Sequence, residues 1–226
     1  MNSMYETLLG LPLFAAASHE RISEVLEKHK IEFLKYTDAQ TIVAKNSTCD
    51  HVVCILSGSV QVEIETSDRK MRVSQRLDAP DMLALDFLFG RSTLSPATVT
   101  SIGNVGVMRI SKADFIDIIS HDRIFLFNYL NLISVDAQLS KKGILSVVNG
   151  SLDKRIAYWI VALTQSSGKD IVLQCRQRDL YASFGVQRQS LVSTLEAMKA
   201  DDILDFTPQE IRVKNRRKLV ELLDRN

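Results

Sequence analysis

LFNYLNLISVDAQLSKKGILSVVN, residues Leu126–Asn149, divides the chain into two parts of different character. Leu126, Leu130, Ile133, Ala137, Ser140 and Ile144 recur at alternating spacings of four and three, the signature of a helix with a seam to bury. Phe125, Tyr129, Leu132 and Leu139 make a second stripe beside it. A helix apolar over two stripes buries one on its own domain and keeps the other for a different surface. From Leu126 to Ser146 it would be roughly 30 Å long at about 1.5 Å per residue, enough to bridge two domains or pair with a copy of itself. One core helix of a single domain is the alternative. The spacing favours a dimer spine, because the flanking sequences differ so sharply.

Before the helix the period is short. Ile31–Tyr36, Thr41–Val43, His51–Leu56, Val60–Glu65, Lys70–Ser74, Thr98–Ile102 and Val105–Ile110 are β-branched and aromatic runs broken by polar residues. Ser57-Gly58-Ser59 reads as a turn and Thr66–Arg69 as the close of a hairpin. Gln61, Glu63 and Glu65 alternate outward against Val60, Val62 and Ile64. Met82–Phe89 is too apolar for an exposed loop. Leu11-Pro12-Leu13-Phe14 is an apolar anchor ahead of Ser18, an N-cap, and Ser111-Lys112-Ala113-Asp114 opens another short helix. Short strands without long intervening helices predict a β sandwich, roll or barrel.

After the helix the pattern changes again. Asn149-Gly150-Ser151 is a break in which Ser151 can cap the next helix, and Leu152, Arg155, Ile156, Trp159, Ile160 and Leu163 make that helix amphipathic. Leu180 and Phe184 face one way on a short helix; Gly185 allows a tight turn, Val186 plugs the corner, and Leu191, Leu195 and Met198 return to the core. That is helix-turn-helix spacing. Gln187, Arg188, Gln189 and Ser193 are left outside, all able to hydrogen-bond phosphates or base edges. Ile203–Phe206 and Ile211–Val213 around Thr207-Pro208 predict a hairpin wing.

The net charge of +1 conceals an asymmetry: residues 1–150 carry 15 Lys+Arg against 17 Asp+Glu, and residues 151–226 carry 13 against 10. A mildly basic C-terminal part suits nucleic acid. Met1-Asn-Ser-Met-Tyr-Glu lacks the basic segment and apolar run of a signal peptide, and no stretch has the length of a membrane span. Cys49, Cys54 and Cys175 form no even-numbered disulfide framework, so the expected setting is a reducing cytoplasm. His19, His29, His51 and His121 are dispersed, without HExxH or paired metal-ligand spacing, so no enzyme is expected.

The order of these features resembles the Crp/Fnr family of bacterial transcription regulators. The resemblance covers nearly the whole chain. It is carried by Leu11–Phe14, Cys54-Ile-Leu-Ser-Gly58-Ser-Val60-Gln-Val62, Ile110–Phe115, Ser151-Leu-Asp-Lys-Arg155-Ile156-Ala and Phe184-Gly-Val-Gln-Arg188-Gln-Ser-Leu191. It implies an α+β architecture: a cupin-like, cyclic-nucleotide-binding-like sensory β-roll with flanking helices over 1–120, a long dimerisation helix over 121–149, and a winged helix-turn-helix DNA-binding domain over 150–226. The implied partners are a second copy of the chain, an approximately palindromic duplex, and RNA polymerase if the protein activates. On the family pattern Arg188 and Gln189 contact bases, and Gln187 and Ser190 the backbone. Ser193 replaces an arginine common in relatives, and Lys199, Arg212 and Lys214 are expected to act through phosphates or the local field. Tyr181 replaces a small residue, which packing explains better than a phosphate contact.

The effector site departs from the family pattern. Cyclic-nucleotide-binding members hold ribose and phosphate with a Gly-Glu pair and an Arg-Ser/Thr-Ala run. Here Asp86 stands for the acid, while Ser95 or Pro96 falls where phosphate would want arginine, and Arg91 lies outside the motif position. An anion in a half-buried pocket without a guanidinium is poorly compensated, which argues against cyclic AMP. What is left is an apolar pocket against the long helix, lined by Met82, Leu83, Leu85, Asp86, Phe87 and Phe89. The resemblance is then to anaerobe-type regulators, including haem-dependent nitrosative-stress sensors. The expected signal is haem-mediated nitric oxide or redox stress, with Met82, Met71, His51 or a residue brought by the long helix as axial-ligand candidates. Another apolar effector, a filled interior with no ligand, and a non-DNA protein-interaction module are the alternatives.

Overall fold

The computed structural model describes residues 4–83 and 85–224, so that Ala84 in the Met82–Phe89 run lies outside the described residues. The chain forms two compact units, one of residues up to Gln61 with Leu77–Ala137, the other of Val62–Arg76 with Gln138 onward. The division thus differs from one at 120 and 150: it cuts the long helix and gives a hairpin from the strand-rich half to the C-terminal unit.

In the first unit, helices α1 (Met4–Leu9) and α2 (His19–Lys28) precede strands β1 (Ile31–Tyr36) and β2 (Thr41–Val43). Ser18 caps α2 by accepting from the Arg21 amide at 3.3 Å. Strand β3 (His51–Glu65) runs through Ser57-Gly58-Ser59 without turning. Gly58 takes a φ of +83°, and a Cβ there would stand 2.4 Å from the Asn104 carbonyl oxygen, so glycine permits close approach inside one long strand instead of ending it. The hairpin does close at Thr66–Arg69, where the Thr66 amide donates to the Met71 carbonyl at 3.0 Å, and returns in β4 (Met71–Asp78). After β5 (Asp81–Leu83), the two runs expected around Thr98 and Val105 are one strand, β6 (Ala97–Ser111). β1 and β2 pair antiparallel with β6, and β5 with β3. Helix α3 (Lys112–His121) is capped by Ser111, which accepts from the Asp114 amide at 3.1 Å. The core gathers Leu11, Leu13 and Phe14 from the N-terminal anchor with Val52, Cys54, Met108, Phe115, Phe125 and Tyr129. At about 1.5–3 kcal/mol for each fully buried large apolar side chain, this cluster dominates the unit's stability.

Helix α4 (Arg123–Asn149) is the long helix. In the second unit α5 (Leu152–Ala162) follows; Ser151 holds the N-cap position with extended backbone, but its side chain makes no capping hydrogen bond. Strand β7 (Lys169–Cys175), helices α6 (Gln177–Phe184) and α7 (Arg188–Ala200), the wing strands β8 (Leu204–Phe206) and β9 (Glu210–Val213), and a final helix α8 (Arg216–Asp224) complete it. β9 pairs with β8 on one side and β7 on the other, and β7 then pairs with β4 from Met71↔Cys175 to Arg76↔Lys169. The hairpin therefore supplies a strand to the wing sheet. Val73 is fully buried in the second core with Ile156, Ile160, Leu173, Leu195 and Leu219, and buried Gln75 accepts from the Gln165 amide at 2.9 Å. Arg216 seals the end of α5, donating to the Thr164 carbonyl at 2.9 Å and the Val161 carbonyl at 3.3 Å; burial lowers its pKa.

Candidate nucleic-acid interface

The C-terminal unit builds its exposed helix from the inside outward. Leu180 on α6 and Leu191, Leu195 and Met198 on α7 are buried, which fixes the faces of the two helices. Gly185 joins them with φ +63° and ψ 36°, a left-handed conformation that ends α6 as the Val186 amide donates to the Tyr181 carbonyl at 3.0 Å. Tyr181, Phe184 and Val186 pack half-buried against the second core, so the bulk of Tyr181 is accommodated by packing. Arg155 on α5 donates to the Phe184 carbonyl at 2.6 Å, and its guanidinium lies 5.5 Å from the Phe184 ring centroid. Trp159 meets the same ring edge-on at 5.9 Å.

Gln187 occupies the N-cap of α7 but makes no side-chain capping bond, and no acidic residue sits in the first turn. The orphan amides of that turn and the positive end of the helix dipole favour an anion there. Gln187, Arg188, Gln189 and Ser190 are all exposed, and Arg188 has no ion pair among the described residues. Ser193 donates its hydroxyl to the Gln189 carbonyl at 2.9 Å and so offers an outside group mainly acceptor lone pairs. The other expected cations are paired. Lys199 stands 2.8 Å from Asp205, Arg212 2.7 Å from Glu210, and Lys214 3.2 Å from Asp202. Asp205 pushes the Lys199 pKa up as its own falls, and Glu210 raises that of Arg212. The sequence reading missed these three carboxylates and Val73, and it placed Arg155 on its helix without finding the Phe184 contact. For Arg155 a signal was present in the Arg155-Ile156-Ala run just inside a helix; the carboxylates gave none, because their partners are set by the wing's register.

A model of the cyclic nucleotide-binding domain matches residues 33–122, and one of the Crp-like helix-turn-helix domain matches residues 154–222. The chain has the Crp/Fnr regulator fold. Thermus thermophilus catabolite activator protein superposes with a TM-score of 0.51 at 16% identity, covering 94% of this chain and 98% of that one. A CooA variant from Carboxydothermus hydrogenoformans gives 0.50 at 18%, covering 93% and 94%. The sensor domain of the regulator DNR from Pseudomonas aeruginosa gives 0.50 at 14%, covering 57% and 85%. A comparison with curated proteins found no match. Among the described residues no helix is long and apolar enough to cross a membrane.

Within this Crp/Fnr fold the long helix presents both expected stripes. Phe125 and Tyr129 are buried in the first core, and Leu139 packs against the second. On the other stripe Leu126, Leu130, Ala137, Ser140 and Ile144 are exposed, while Ile133 is half-buried against the first core. Phe127, Val135 and Leu145, 65%, 59% and 70% exposed, widen the apolar surface beyond the expected seam.

The effector candidates divide. Met82 and Leu83 are buried, as is their neighbour Leu88, and Phe89 packs its ring 6.4 Å from Phe115 and 5.9 Å from Tyr129. Leu85 and Phe87 are half-buried. Asp86 is exposed as a residue, yet desolvation of its carboxyl raises its pKa, and its charge helps raise those of Tyr129 and Asp136. Ser95 is buried and bonded locally to Ala97, and Arg91 is exposed. Met82 belongs to the first core and Met71 packs against the second. His51 Nδ1 lies 2.5 Å from the carboxylate of the adjacent, exposed Asp50, which accepts from the imidazole. The three thiols are free; burial pushes Cys54 and Cys175 up to about 12 and raises Cys49 as well, which suits structural roles.

Proposed function

We propose that this protein is a dimeric, sequence-specific DNA-binding transcription regulator. The observation that carries the reading is the first turn of α7, where Arg188 is exposed, lacks an ion pair among the described residues and sits beside uncapped backbone amides on a helix fixed by Leu191 and Leu195. The exposed apolar stripe of α4 suits pairing with a second copy through Leu126, Leu130, Ile133, Ala137, Ser140 and Ile144. Twofold symmetry then calls for an approximately palindromic operator with half-sites about 34–36 Å apart. Equilibrium titration of the full chain with duplex DNA over a salt series tests the reading. Salt-dependent binding supports it, and its absence leaves a protein-interaction module that has kept the helix-turn-helix.

The signal in this reading is not cyclic AMP. On the family pattern Ser95 or Pro96 falls where a phosphate would need a guanidinium, and Ser95 is buried and locally bonded. Calorimetry should find no cyclic-AMP binding tighter than about 100 μM, the millimolar-to-micromolar region of the affinity scale; a stoichiometric micromolar isotherm overturns this. A haem-mediated nitric oxide or redox signal is the named candidate, with His51 as one axial ligand to test. Haem, when bound, would supply the site for the diatomic gas. Titration of the protein with haem, read by visible spectroscopy, tests it: a one-to-one complex lost in His51→Ala supports it, and no defined spectrum removes it. If the protein activates, RNA polymerase is its further partner.

A further inference from the structure

We propose that Asp202, Asp205 and Glu210 are specificity-determining residues that hold the wing's cations away from DNA phosphates and so suppress binding to random sequence. The proposal rests on the DNA-binding reading and adds to it a function for acidic residues. Within the fifteen or so residues from the end of α7 through the wing, each candidate phosphate-contacting cation is matched by a carboxylate: Lys199 by Asp205, Arg212 by Glu210 and Lys214 by Asp202. The carboxylates are themselves placed by the backbone. The Phe206 amide donates to Asp205 Oδ1 at 2.8 Å, the same oxygen that meets Lys199. Asp202 is set at the turn leaving α7 by a left-handed φ of 53°, and Glu210 lies on β9 two residues from Arg212. Arg188, the residue positioned to read a base, has no such carboxylate among the described residues.

Exposed pairs of this kind add little to folding stability, but they change what a phosphate gains. A cation already paired must give up its carboxylate to take a phosphate oxygen, and the released carboxylate then repels the backbone. Non-specific affinity comes almost wholly from phosphate neutralisation and counterion release, so this pairing lowers it selectively. Base contacts by an unpaired Arg188 lose nothing by it. The ratio of specific to random binding, which governs regulation among many competing sites, is thereby raised.

The test compares the full-length protein with D202N/D205N/E210Q and with a charge-matched control, E20Q/E24Q/E27Q, whose changes lie on exposed positions of α2. Each is titrated with a random-sequence duplex over a salt series, after circular dichroism has shown that the fold is kept. The wing variant is expected to bind random duplex about tenfold more tightly at low salt, with a log–log salt slope steeper by up to about 2.7 units, since each of the three phosphates newly neutralised adds about 0.9. The control should stay within about twofold of wild type in the same assay. An unchanged slope and affinity in the wing variant overturns the proposal, as does an equal gain in both variants. Wild type and variant both failing to bind any duplex at low salt overturns the DNA-binding reading itself and this inference with it.

Discussion

Arg155 and Phe184 are joined twice, by a 2.6 Å hydrogen bond from the guanidinium to the Phe184 carbonyl and by the stacking of that cation 5.5 Å from the ring centroid. The contact fixes the last residue of α6 at the point where Gly185 reverses the chain. The pitch of α7 therefore depends on a residue of α5. Arg155→Ala removes a charge-assisted bond and leaves a carbonyl unsatisfied, which should cost about 1.5–3 kcal/mol. Trp159, the sole tryptophan, lies against the same ring, so urea unfolding followed by its fluorescence reads the loss. Arg155→Lys should recover part of it.

Dimerisation is tested at Leu130 more cleanly than at Ile133, because Leu130 is 45% exposed in one chain whereas Ile133 also packs against the first core. Leu130→Asp should leave the protomer folded and place an unpaired charge in the interface. A cost of about 3 kcal/mol or more weakens the dimer at least a hundredfold. Sedimentation velocity should show a wild-type dimer and a variant monomer at micromolar concentration.

Asp86 makes the first unit sensitive to pH. Its pKa in the folded protein lies above the ordinary 3.8, chiefly through desolvation. The stability linked to this group is therefore fully present below the ordinary value and is lost as pH rises through the raised one. Asp136, raised by desolvation and secondarily by the Asp86 charge, acts in the same direction. Asp86→Asn should raise the melting temperature at neutral pH and shrink its gain on acidification towards pH 4. A variant with the wild-type pH dependence would show that the carboxyl is solvated.

The sequence made the architecture legible where one pattern answered to one element. The four-and-three spacing of α4, the Gly185 turn, and the caps at Ser18 and Ser111 each follow from local chemistry. It misled where glycine suggested a turn. Gly58 instead serves close packing within β3. What stayed hidden was long-range. The alternation of Met71, Val73 and Gln75 says that one face of β4 is buried, but not that it is buried on β7, about a hundred residues away. Helix α8 and the capping role of Arg216 likewise depend on where α5 ends. Of the interface, Arg188 and its neighbours could be read from spacing. The pairing of Lys199, Arg212 and Lys214 could not, because it depends on the wing's register.

The central claim is that the start of α7 reads sequence, and it is tested most directly at Arg188. Wild type and Arg188→Ala should be titrated with the preferred duplex and its single-base variants over a salt series. Arg188 is expected to donate both arms of its guanidinium to guanine O6 and N7, so its loss should cost about 1–3 kcal/mol of discrimination at one base pair while preferences elsewhere persist. If Arg188→Ala instead weakens all duplexes equally, with its whole effect in the salt slope, then Arg188 is a phosphate contact and the account of this helix is wrong.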